Sequence, residues 1–367
     1  MLTRIYIDNF RCLVNFEYRP RRQELILGGN GSGKSSLLDV LLFLQQFIVR
    51  GVPFDEFRLL AQRTRWLDRP HITTELEAEL DGGRYVYRLV IEPRGEPATP
   101  RAASETLCFE GKSLFEFING EVQLFDDRFE RKAAYELDPA RSALATIIPR
   151  GDNQKLSRFK RWLGSFHGFR INPFAMSARA EGEELYPKVD LSNLAAWYRH
   201  LVQAIPRPSA ALRESLRECI EGFNFLELEP FGENVRLLRA EFAHGGRTTR
   251  FYFNELSDGQ RCLIALYTIL HFVVAQGGAV VLDEPENFVS LREIQPWLMA
   301  LSDAIEESHG QVLLVSHHPE IINQWAPSNG VRFIRDIGGA ARVEKFQADP
   351  ESCLPPAELV ARGWERE

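Results

Sequence analysis

Apolar and polar positions alternate with period two at the start of the chain and then with the period of a helix. Residues 2–10 and 13–20 alternate like two strands, and a short apolar run follows at Leu25–Leu27. From Lys34 to about Val49, apolar residues recur at helical spacing. This part of the sequence predicts two strands, one short buried strand and a helix.

Beyond this helix the pattern changes to short alternating segments. These segments predict antiparallel strands, and Gly-rich or Pro-rich turns such as 81–83 separate them. The predicted strands are 71–80, 84–93, 105–110, 113–120 and 121–127. From about 142 to 222 the pattern is mainly helical, at 154–164, 190–205 and 208–221. We therefore expect an antiparallel β region followed by a helical insertion.

The C-terminal third alternates between strands and helices. The predicted strands are 224–229, 234–242, 247–254, 279–284, 311–316, 331–336 and 341–346, and the predicted helices are 257–276, 290–308 and 355–364. A helix separates the apolar strands at 279–284 and 311–316, which is typical of a parallel sheet that the strand at 25–27 would join. The sequence thus predicts an α/β fold whose core is split by an insertion.

Five regions follow from these patterns along the 367 residues. They are the N-terminal half of the core at 1–50, the antiparallel β region at 51–140, the helical insertion at 141–230, the C-terminal half of the core at 231–350 and a tail helix at 351–367. A chain of this length can bury a sizeable core in more than one lobe.

The composition is that of a globular protein, with 44% hydrophobic and 26% charged residues. No apolar run is long enough to span a membrane, and the five cysteines form no C-x-x-C pair, so we expect reduced thiols in the cytoplasm. A net charge of −7 excludes attraction of the whole molecule to nucleic acid. Any DNA contact therefore requires a local basic patch.

The segment after the first apolar strand matches a P-loop, Gly28-x-x-x-x-Gly33-Lys34-Ser35. Glycines allow the backbone to fold around an anion, and the helix that follows adds partial positive charge. Lys34 is predicted to contact the β- and γ-phosphates of ATP, and Ser35 to bind Mg²⁺. The predicted nucleotide-binding residues here are Asn30, Gly31, Ser32, Gly33, Lys34, Ser35 and Ser36.

Two acids end the apolar strand at 279–284. The carboxyl ends of such strands are where α/β proteins bind ligands. Asp283 is therefore predicted to hold Mg²⁺, directly or through water, and Glu284 to position and deprotonate the attacking water. The alternative is a pair of solvated carboxylates, which the presence of the P-loop disfavours.

A second anion site is predicted at "NELSDGQR", where Ser257, Gly259 and Gln260 begin an apolar helix. Ser257 and Gln260 also form a capping-box pattern, so an ordinary helix start is the alternative. One nucleotide has one γ-phosphate, and the P-loop surrounds most of it. A second site on the same chain makes most sense if it faces the nucleotide of another subunit.

Two adjacent histidines, His317 and His318, follow the apolar strand at 311–316. They are expected at the same sheet edge as the two acids. A lone histidine after a strand is more often structural, but two beside a strand that ends in carboxylates favour a γ-phosphate contact by one of them.

The order of these motifs resembles that of the ABC-type ATPases. The segments "GGNGSGKSS", "LSDGQ", "VVLDEPEN" and "SHHP" follow one another, and "IYIDNFRCL" is similar to the first strand and turn of the RecF/SMC/OLD branch. The resemblance implies a homodimer that closes head-to-tail on two ATP·Mg²⁺. In it, Ser257 and Gly259 would bind the γ-phosphate of the opposite protomer. Glu286–Ser290 would form the D-loop at the interface, and His317 would be the switch histidine.

Two details of the resemblance stay open. Residues 288–290 read Phe-Val-Ser where the branch commonly has Leu-His-Pro. The Q-loop glutamine has three candidates, Gln45, Gln46 and Gln154.

The number of residues between the motifs distinguishes the members of this class from one another. The 223 positions from Lys34 to Ser257 are about twice what resemblance to a transporter subunit implies, and no heptad arm of an SMC protein is present. Only 50 residues follow His317, too few for the nuclease domain of OLD-type proteins. The sequence predicts a stand-alone ATPase head, similar to anti-phage-defence ATPases, that gates a separately encoded effector such as a nuclease. A DNA-binding ATPase for repair or end sensing, and thirdly a transporter subunit, are the alternatives.

One basic segment bears on the DNA alternative. Between Arg141 and Arg170, seven Lys or Arg stand against one acid, with aromatic residues interleaved. The candidate DNA- or partner-binding residues are Arg150, Lys155, Arg158, Lys160 and Arg161. A solvated helix face is the alternative, because the aromatic residues from Phe159 to Phe166 recur at helical spacing and suit a core.

Overall fold

Residues 1–80, 82–347 and 354–363 are described by the structure, a computed structural model. Their strands are β1 Leu2–Asp8, β2 Phe16–Tyr18, β3 Gln23–Leu27, β4 Ile72–Leu80, β5 Gly83–Arg94, β6 Thr99–Phe109, β7 Lys112–Ile118, β8 Glu121–Phe125, β9 Arg131–Glu136, β10 Phe166–Phe169, β11 Arg179–Ala180, β12 Phe223–Phe231, β13 Val235–His244, β14 Arg247–Tyr252, β15 Ala279–Asp283, β16 Gln311–Val315, β17 Gly330–Arg335 and β18 Ala341–Lys345. Asp81 of a predicted turn, Cys353 and the end of the predicted helix 355–364 lie outside the described residues.

The α-helices in this part of the chain are α1 Lys34–Arg50, α2 Ala143–Thr146, α3 Gln154–Gly164, α4 Leu194–Ala204, α5 Pro208–Cys219, α6 Asp258–Phe272, α7 Leu291–Ser308, α8 Pro319–Asn329 and α9 Pro356–Arg362. Short 3-10 helices lie at Phe54–Phe57, Leu59–Gln62, Pro173–Ala175, Phe253–Glu255 and Val274–Gln276. No helix among the described residues is long and apolar enough to cross a membrane.

The chain forms two units, each assembled from segments that are discontinuous in sequence. The first unit comprises Met1–Arg21, Ile26–Phe166 and Val331–Phe346. The second comprises Arg22–Leu25, His167–Gly330 and the C-terminal residues from Gln347. Strand β3 is therefore divided between them.

In the first unit, eight strands form one antiparallel sheet in the order β2-β1-β4-β5-β6-β7-β8-β9. The alternation along β5 buries Tyr85, Tyr87, Leu89 and Ile91 completely. Leu89 and Ile91 each contribute about 1.5–3 kcal/mol of hydrophobic stabilisation. Helix α1 packs against α2 and α3, and its first two residues, Lys34 and Ser35, are the last two of the P-loop motif.

The second unit contains the parallel strands. β15 and β16 pair in parallel from Ala279 opposite Gln311 to Asp283 opposite Val315, and every residue of both strands is buried. Such continuous apolar strands are typical of a parallel sheet covered on both faces. The hydrogen-bonding order of these strands is β10-β15-β16. The predicted α/β class is thus confirmed.

Several element predictions are wrong. The stretch 142–222 contains the three predicted helices as α3, α4 and α5, but it also contains β10 and β11, which were not predicted. Phe166, interpreted as part of a helical spacing, lies on β10. Helix α6 ends at Phe272 rather than at 276, because a short 3-10 turn and Gly277 in the left-handed region close it. Neither β9 nor α8 was predicted. β9 is charged and mostly exposed, and α8 carries a proline inside the helix, so neither has a clear periodic pattern.

Candidate functional site

The P-loop in the first unit presents the open end of a long helix. Helix α1 spans 17 residues, and its N-cap Gly33 has φ 110° and offers no side-chain hydrogen bond to the first turn. The amide N–H groups of that turn carry the positive end of the helix dipole. Such a helix start is suited to binding a phosphate.

Gly28 cannot be replaced without moving the loop. Its φ is 146°, and a Cβ at this position would lie 2.4 Å from the backbone oxygen of Phe333 and 2.8 Å from Oγ of Ser32. Because the atom that the Cβ would meet belongs to the backbone, no side chain could rotate to make room for it. The first glycine of the motif is therefore required by close packing as well as by backbone conformation.

Lys34 is folded back over the loop. It is almost fully buried, and its Nζ donates hydrogen bonds to the backbone oxygens of Gly28 and Gly29, the latter at 3.2 Å. Oγ of Ser32 is buried and has no hydrogen-bond partner among the described residues. A cationic head and an unsatisfied hydroxyl beside bare amides fit a phosphate group.

The other predicted residues of this loop differ in exposure. Asn30, Gly31 and Ser35 are exposed, whereas Ser36 is buried. Ser35 lies on the first turn of α1, and its exposed hydroxyl is an oxygen donor of the kind that Mg²⁺ prefers.

In the second unit, Asp283 is the last residue of β15 and is only 8% exposed. Its Oδ2 accepts hydrogen bonds from Nε of Arg170 at 3.0 Å and from Nη2 at 2.7 Å. A buried carboxylate is costly without such a partner. Arg170 therefore supplies the charge that stabilises Asp283 in this structure.

Glu284 follows with an exposed side chain and a left-handed backbone, φ 50°. Its N–H donates to the oxygen of Val315 on the neighbouring strand at 2.8 Å, and its Oε2 accepts from Nδ2 of Asn287 at 3.1 Å. Non-glycine residues in this region are uncommon and cluster at functional sites. The end of β15 therefore places the accessible carboxylate of Glu284 beside the buried carboxylate of Asp283.

The oxygen donors fit Mg²⁺ rather than zinc. Among the described residues, no group of three or more His, Cys, Asp or Glu could hold a metal ion by itself. Mg²⁺ in nucleotide sites is bound through one or two protein oxygens together with water and phosphates. Asp283 and the hydroxyl of Ser35 are donors of that chemistry.

Glu286 connects the loop after β15 to the loop after β16. Its Oε1 accepts hydrogen bonds from Oγ of Ser316 at 2.6 Å and from the N–H of His317 at 3.3 Å. Burial raises the pKa of Glu286, against these hydrogen bonds, which lower it. The predicted D-loop and the predicted switch histidine are thus joined through one buried carboxyl group.

The two adjacent histidines have different environments. His318 is the N-cap of α8, and its Nδ1 accepts a hydrogen bond from the N–H of Glu320 at 3.3 Å. His317 is exposed and anchored through its backbone. His318 is therefore accounted for by helix capping, which leaves His317 as the accessible imidazole.

At the start of α6, the capping-box interpretation describes the bonds that are formed. Oγ of Ser257 accepts from the N–H of Gln260 at 3.3 Å, and Oε1 of Gln260 accepts from the N–H of Ser257 at 3.1 Å. Gly259 is packed closely, since a Cβ there would lie 2.9 Å from the backbone oxygen of Phe288. The predicted signature motif and the predicted D-loop are in direct contact.

An exposed aromatic pair lies beside this contact. Phe288 has φ 73° and is 48% exposed, and Phe174 is 69% exposed, with their ring centroids 5.3 Å apart in an edge-on arrangement. Nη1 of Arg261 in α6 donates to the oxygen of Pro173 at 2.6 Å and so fixes the loop that carries Phe174.

The basic segment is only partly available to a ligand. Nζ of Lys160 donates to the backbone oxygens of Ala145 and Ile147 at 3.0 and 2.8 Å, and Nζ of Lys155 donates to that of Asp127 at 2.7 Å. Arg150, Arg158 and Arg161 are exposed. Lys155 and Lys160 are therefore engaged within the first unit.

Sequence analysis missed Arg170 as a site residue. Of the three candidates for the Q-loop glutamine, Gln45 and Gln46 lie within α1, and Gln154 begins α3, where its side chain donates to the oxygen of Arg150. Arg170 directly follows β10, which is the strand next to β15 in the sheet. The signal for β10 was the apolar run "FHGF", which is too short to distinguish from the end of the preceding helix.

The structure is similar to two solved structures of SMC heads. It matches the SMC head domain from Thermotoga maritima with a TM-score of 0.51 and 14% identity, over 95% of this chain and 99% of that chain. It also matches the SMC head bound to the C-winged helix domain of ScpA, with a TM-score of 0.59 and 12% identity, over 94% of this chain and 96% of that chain. At these identities the likeness shows a shared fold, that of the ABC-type, SMC-like P-loop heads.

The sequence identifies the family. The profile described as "AAA domain, putative AbiEii toxin, Type IV TA system" matches residues 25–323, so the chain belongs to this family of AAA-domain proteins. No protein of curated function matches the sequence. The matched range contains both the P-loop and the strand that ends in Asp283.

Proposed function

We propose that this protein binds ATP with Mg²⁺ and hydrolyses the terminal phosphate. The observation that carries the proposal is the P-loop at the start of α1, with no side-chain cap on the helix and a lysine folded over the loop. The match to an AAA-domain family over residues 25–323 supports it independently.

The P-loop would hold the phosphates. The amides of the first turn of α1 would donate to phosphate oxygens, and Nζ of Lys34 would exchange the backbone oxygens of Gly28 and Gly29 for the β- and γ-phosphates. That exchange replaces neutral acceptors by charged ones, which strengthens the hydrogen bonds. Asn30, Ser32 and Ser36 complete the proposed loop site.

The carboxylates in the second unit would activate the attacking water and hold the metal ion. Glu284 would take a proton from water, whose oxygen attacks the γ-phosphorus as the bond to the ADP oxygen breaks. Asp283 and Ser35 would hold Mg²⁺, which when bound neutralises charge on the phosphates. His317, the accessible imidazole, would contact the γ-phosphate.

Two copies of the chain would act together. The start of α6, with Ser257, Gly259 and Gln260, would bind the γ-phosphate of the nucleotide held by a second copy. The exposed rings of Phe174 and Phe288 have centroids 5.3 Å apart and form one apolar patch beside this helix start, which supports an interface at this place. ATP would then close the homodimer, and hydrolysis would release it.

A separate protein would respond to the closing and release of this homodimer. The family description names a toxin of a toxin–antitoxin system, and one similar SMC head was solved with a winged-helix domain bound. Both support an ATPase head that works with a partner. We propose that the partner is a separately encoded effector, such as a nuclease, in phage defence.

The first test is steady-state ATP hydrolysis by the purified chain, with and without linear duplex DNA. Turnover should be slow, indifferent to DNA, and abolished by Glu284→Gln, whereas Lys34→Ala should lose nucleotide binding. Glu284→Gln should also accumulate as an ATP-dependent dimer in size-exclusion chromatography. Normal hydrolysis by the Glu284→Gln protein would show that the assigned base is wrong.

The same measurement tests the DNA-binding alternative. Strong stimulation by DNA that disappears at high salt would favour a DNA-activated ATPase. Arg150, Arg158 and Arg161 would then be the residues to mutate first, because their side chains are the exposed part of the basic segment.

A further inference from the structure

Arg170 and Asp283 lie at the ends of two neighbouring strands of one sheet. Arg170 directly follows β10, and Asp283 ends β15. Both donor nitrogens of the guanidinium, Nε and Nη2, point to the same carboxylate oxygen, Oδ2, at 3.0 and 2.7 Å. The oxygen that a divalent cation would use is thus already occupied by a cation.

The backbone of Arg170 is fixed, whereas its side chain is accessible. Its N–H donates to the oxygen of Val189 at 2.7 Å, and the N–H of Asn172 donates to the oxygen of Asp190 at 3.2 Å. The side chain of Arg170 is 52% exposed, and that of Asp283 is 9% exposed. The guanidinium can therefore turn into solvent, while the carboxylate stays in place.

Resting on the proposed role of Asp283 as a metal ligand, we propose that Arg170 is a displaceable cation that excludes Mg²⁺ from Asp283 until nucleotide is bound. Mg²⁺ requires oxygen ligands at about 2.0–2.1 Å, and two cations on one carboxylate oxygen repel each other. Metal alone is then a poor competitor for Asp283. Metal accompanied by phosphates brings negative charge that offsets this repulsion.

The phosphates also give the displaced side chain somewhere to bind. The planar fork of an arginine matches phosphate oxygens in the same way that it matches a carboxylate. The exchange of one anion for the other makes metal binding depend on nucleotide. Asp283 meanwhile is never left buried without a counter-charge, a state that would destabilise the second unit.

The test measures metal affinity rather than turnover. Mn²⁺ replaces Mg²⁺ as a probe visible by electron paramagnetic resonance, and it is titrated into the full-length protein with and without a non-hydrolysable ATP analogue. Arg170→Gln should bind Mn²⁺ alone about tenfold more tightly than the wild type, since one repulsive charge at a half-exposed place is removed. Unchanged or weaker binding by Arg170→Gln would overturn the proposal.

Two variants serve as controls. Arg213→Gln removes an equally accessible arginine, 49% exposed and paired with Glu214 at 3.6 Å, and should leave Mn²⁺ affinity unchanged. Asp283→Asn should weaken Mn²⁺ binding in the presence of the analogue. If it does not, the proposed metal ligand is wrong, and the proposal for Arg170 fails with it. If only Arg170→Gln behaves unexpectedly, the ATPase proposal stands.

A measurement on the wild-type protein does not depend on the folding of a variant. The Nε–H of Arg170 should give a nitrogen-15 resonance protected from solvent exchange by its bond to Asp283, assigned by its loss in Arg170→Lys. Adding the analogue together with Mg²⁺ should shift this resonance, whereas Mg²⁺ alone should not. An unchanged resonance in the presence of analogue and Mg²⁺ would contradict displacement.

Discussion

The hydroxyl of Ser316 donates a hydrogen bond of 2.6 Å to Oε1 of Glu286, and this bond ties the loop after β15 to the loop after β16. The same oxygen accepts from the N–H of His317, while Oε2 is buried with no partner among the described residues. Glu286, the third acid of "DEPE", therefore has a structural role in positioning the proposed switch histidine.

Replacing Glu286 by Ala should release the loop that carries His317. We expect a loss of about 1–3 kcal/mol in the free energy of unfolding, because the Ser316 hydroxyl loses its buried acceptor. ATP turnover should fall at least about tenfold, the factor that corresponds to roughly 1.4 kcal/mol in the barrier. Thermal melting and single-turnover hydrolysis measure the two effects.

Glu286→Gln is the informative companion variant. Its amide oxygen can still accept from Ser316, and the burial that raises the pKa of Glu286 shows that a neutral group is tolerated better there. It should therefore retain most of the stability that Glu286→Ala loses. Glu307→Ala, at an exposed position of α7, should change neither quantity. Wild-type turnover in Glu286→Ala would refute the positioning role.

Gly259→Ala should separate nucleotide binding from turnover. The added methyl group would meet the backbone oxygen of Phe288 at 2.9 Å, so the predicted D-loop must move. Binding of a fluorescent ATP analogue should be unchanged, because the P-loop lies in the other unit. Hydrolysis and ATP-dependent dimerisation should both fall about tenfold or more.

A matched glycine is available in the same unit. Gly182→Ala adds a methyl group that meets nothing within 4 Å, and it should behave like the wild type. If Gly259→Ala hydrolyses ATP as fast as Gly182→Ala, the contact between α6 and Phe288 has no part in the reaction.

Glu105 should make the stability of the first unit depend on pH. It is completely buried between Tyr87, Ser142 and the N–H of Ala143, and burial raises its pKa to about 7 although these hydrogen bonds lower it. The folded state therefore binds a proton more tightly than the unfolded chain. This contribution is fully present below about pH 4.5 and is lost as the pH rises through 7.

The size of this effect is about 3 kcal/mol, since each unit of pKa difference corresponds to roughly 1.4 kcal/mol. Urea unfolding at a series of pH values between 4.5 and 8 should therefore show a smaller decline in Glu105→Gln than in the wild type. Parallel pH profiles for the two proteins would mean that Glu105 is ionised throughout.

Lys160 should behave as a structural residue rather than as a DNA ligand. Lys160→Met leaves the backbone oxygens of Ala145 and Ile147 without their donor, and we expect a loss of about 1–3 kcal/mol. Arg161→Met, one position further along α3, should stay within roughly 0.5 kcal/mol of the wild type. Equal unfolding midpoints for the two variants would show that the Lys160 bonds contribute nothing.

The parts of the fold that sequence predicted well are those with strong periodicity. Helix α3 was predicted with its bounds, and β15 and β16 were predicted within one residue, because continuous apolar runs between helices leave few alternatives. β10 was missed because four residues carry too little pattern. Its omission concealed the neighbour of β15, and with it the pairing of Arg170 with Asp283.

The side-chain relationships of the candidate site were beyond the sequence for a different reason. The P-loop and the acids after β15 were recognised as motifs, but motifs give no information about packing across a sheet. The different environments of His317 and His318 depend on the N-cap of α8, a helix that was not predicted. The hydrogen bond between Glu286 and Ser316 depends on two loops that lie 30 positions apart in sequence.

The left-handed backbone at Glu284 lowers the stability of the fold at this position. A residue with a Cβ in this conformation is less stable than glycine by roughly 1 kcal/mol. Selection for thermal stability alone would replace Glu284 by glycine, and a screen that scores only melting temperature should enrich that change. Such a variant should melt at a higher temperature and yet lose ATP hydrolysis, because the proposed base would be gone.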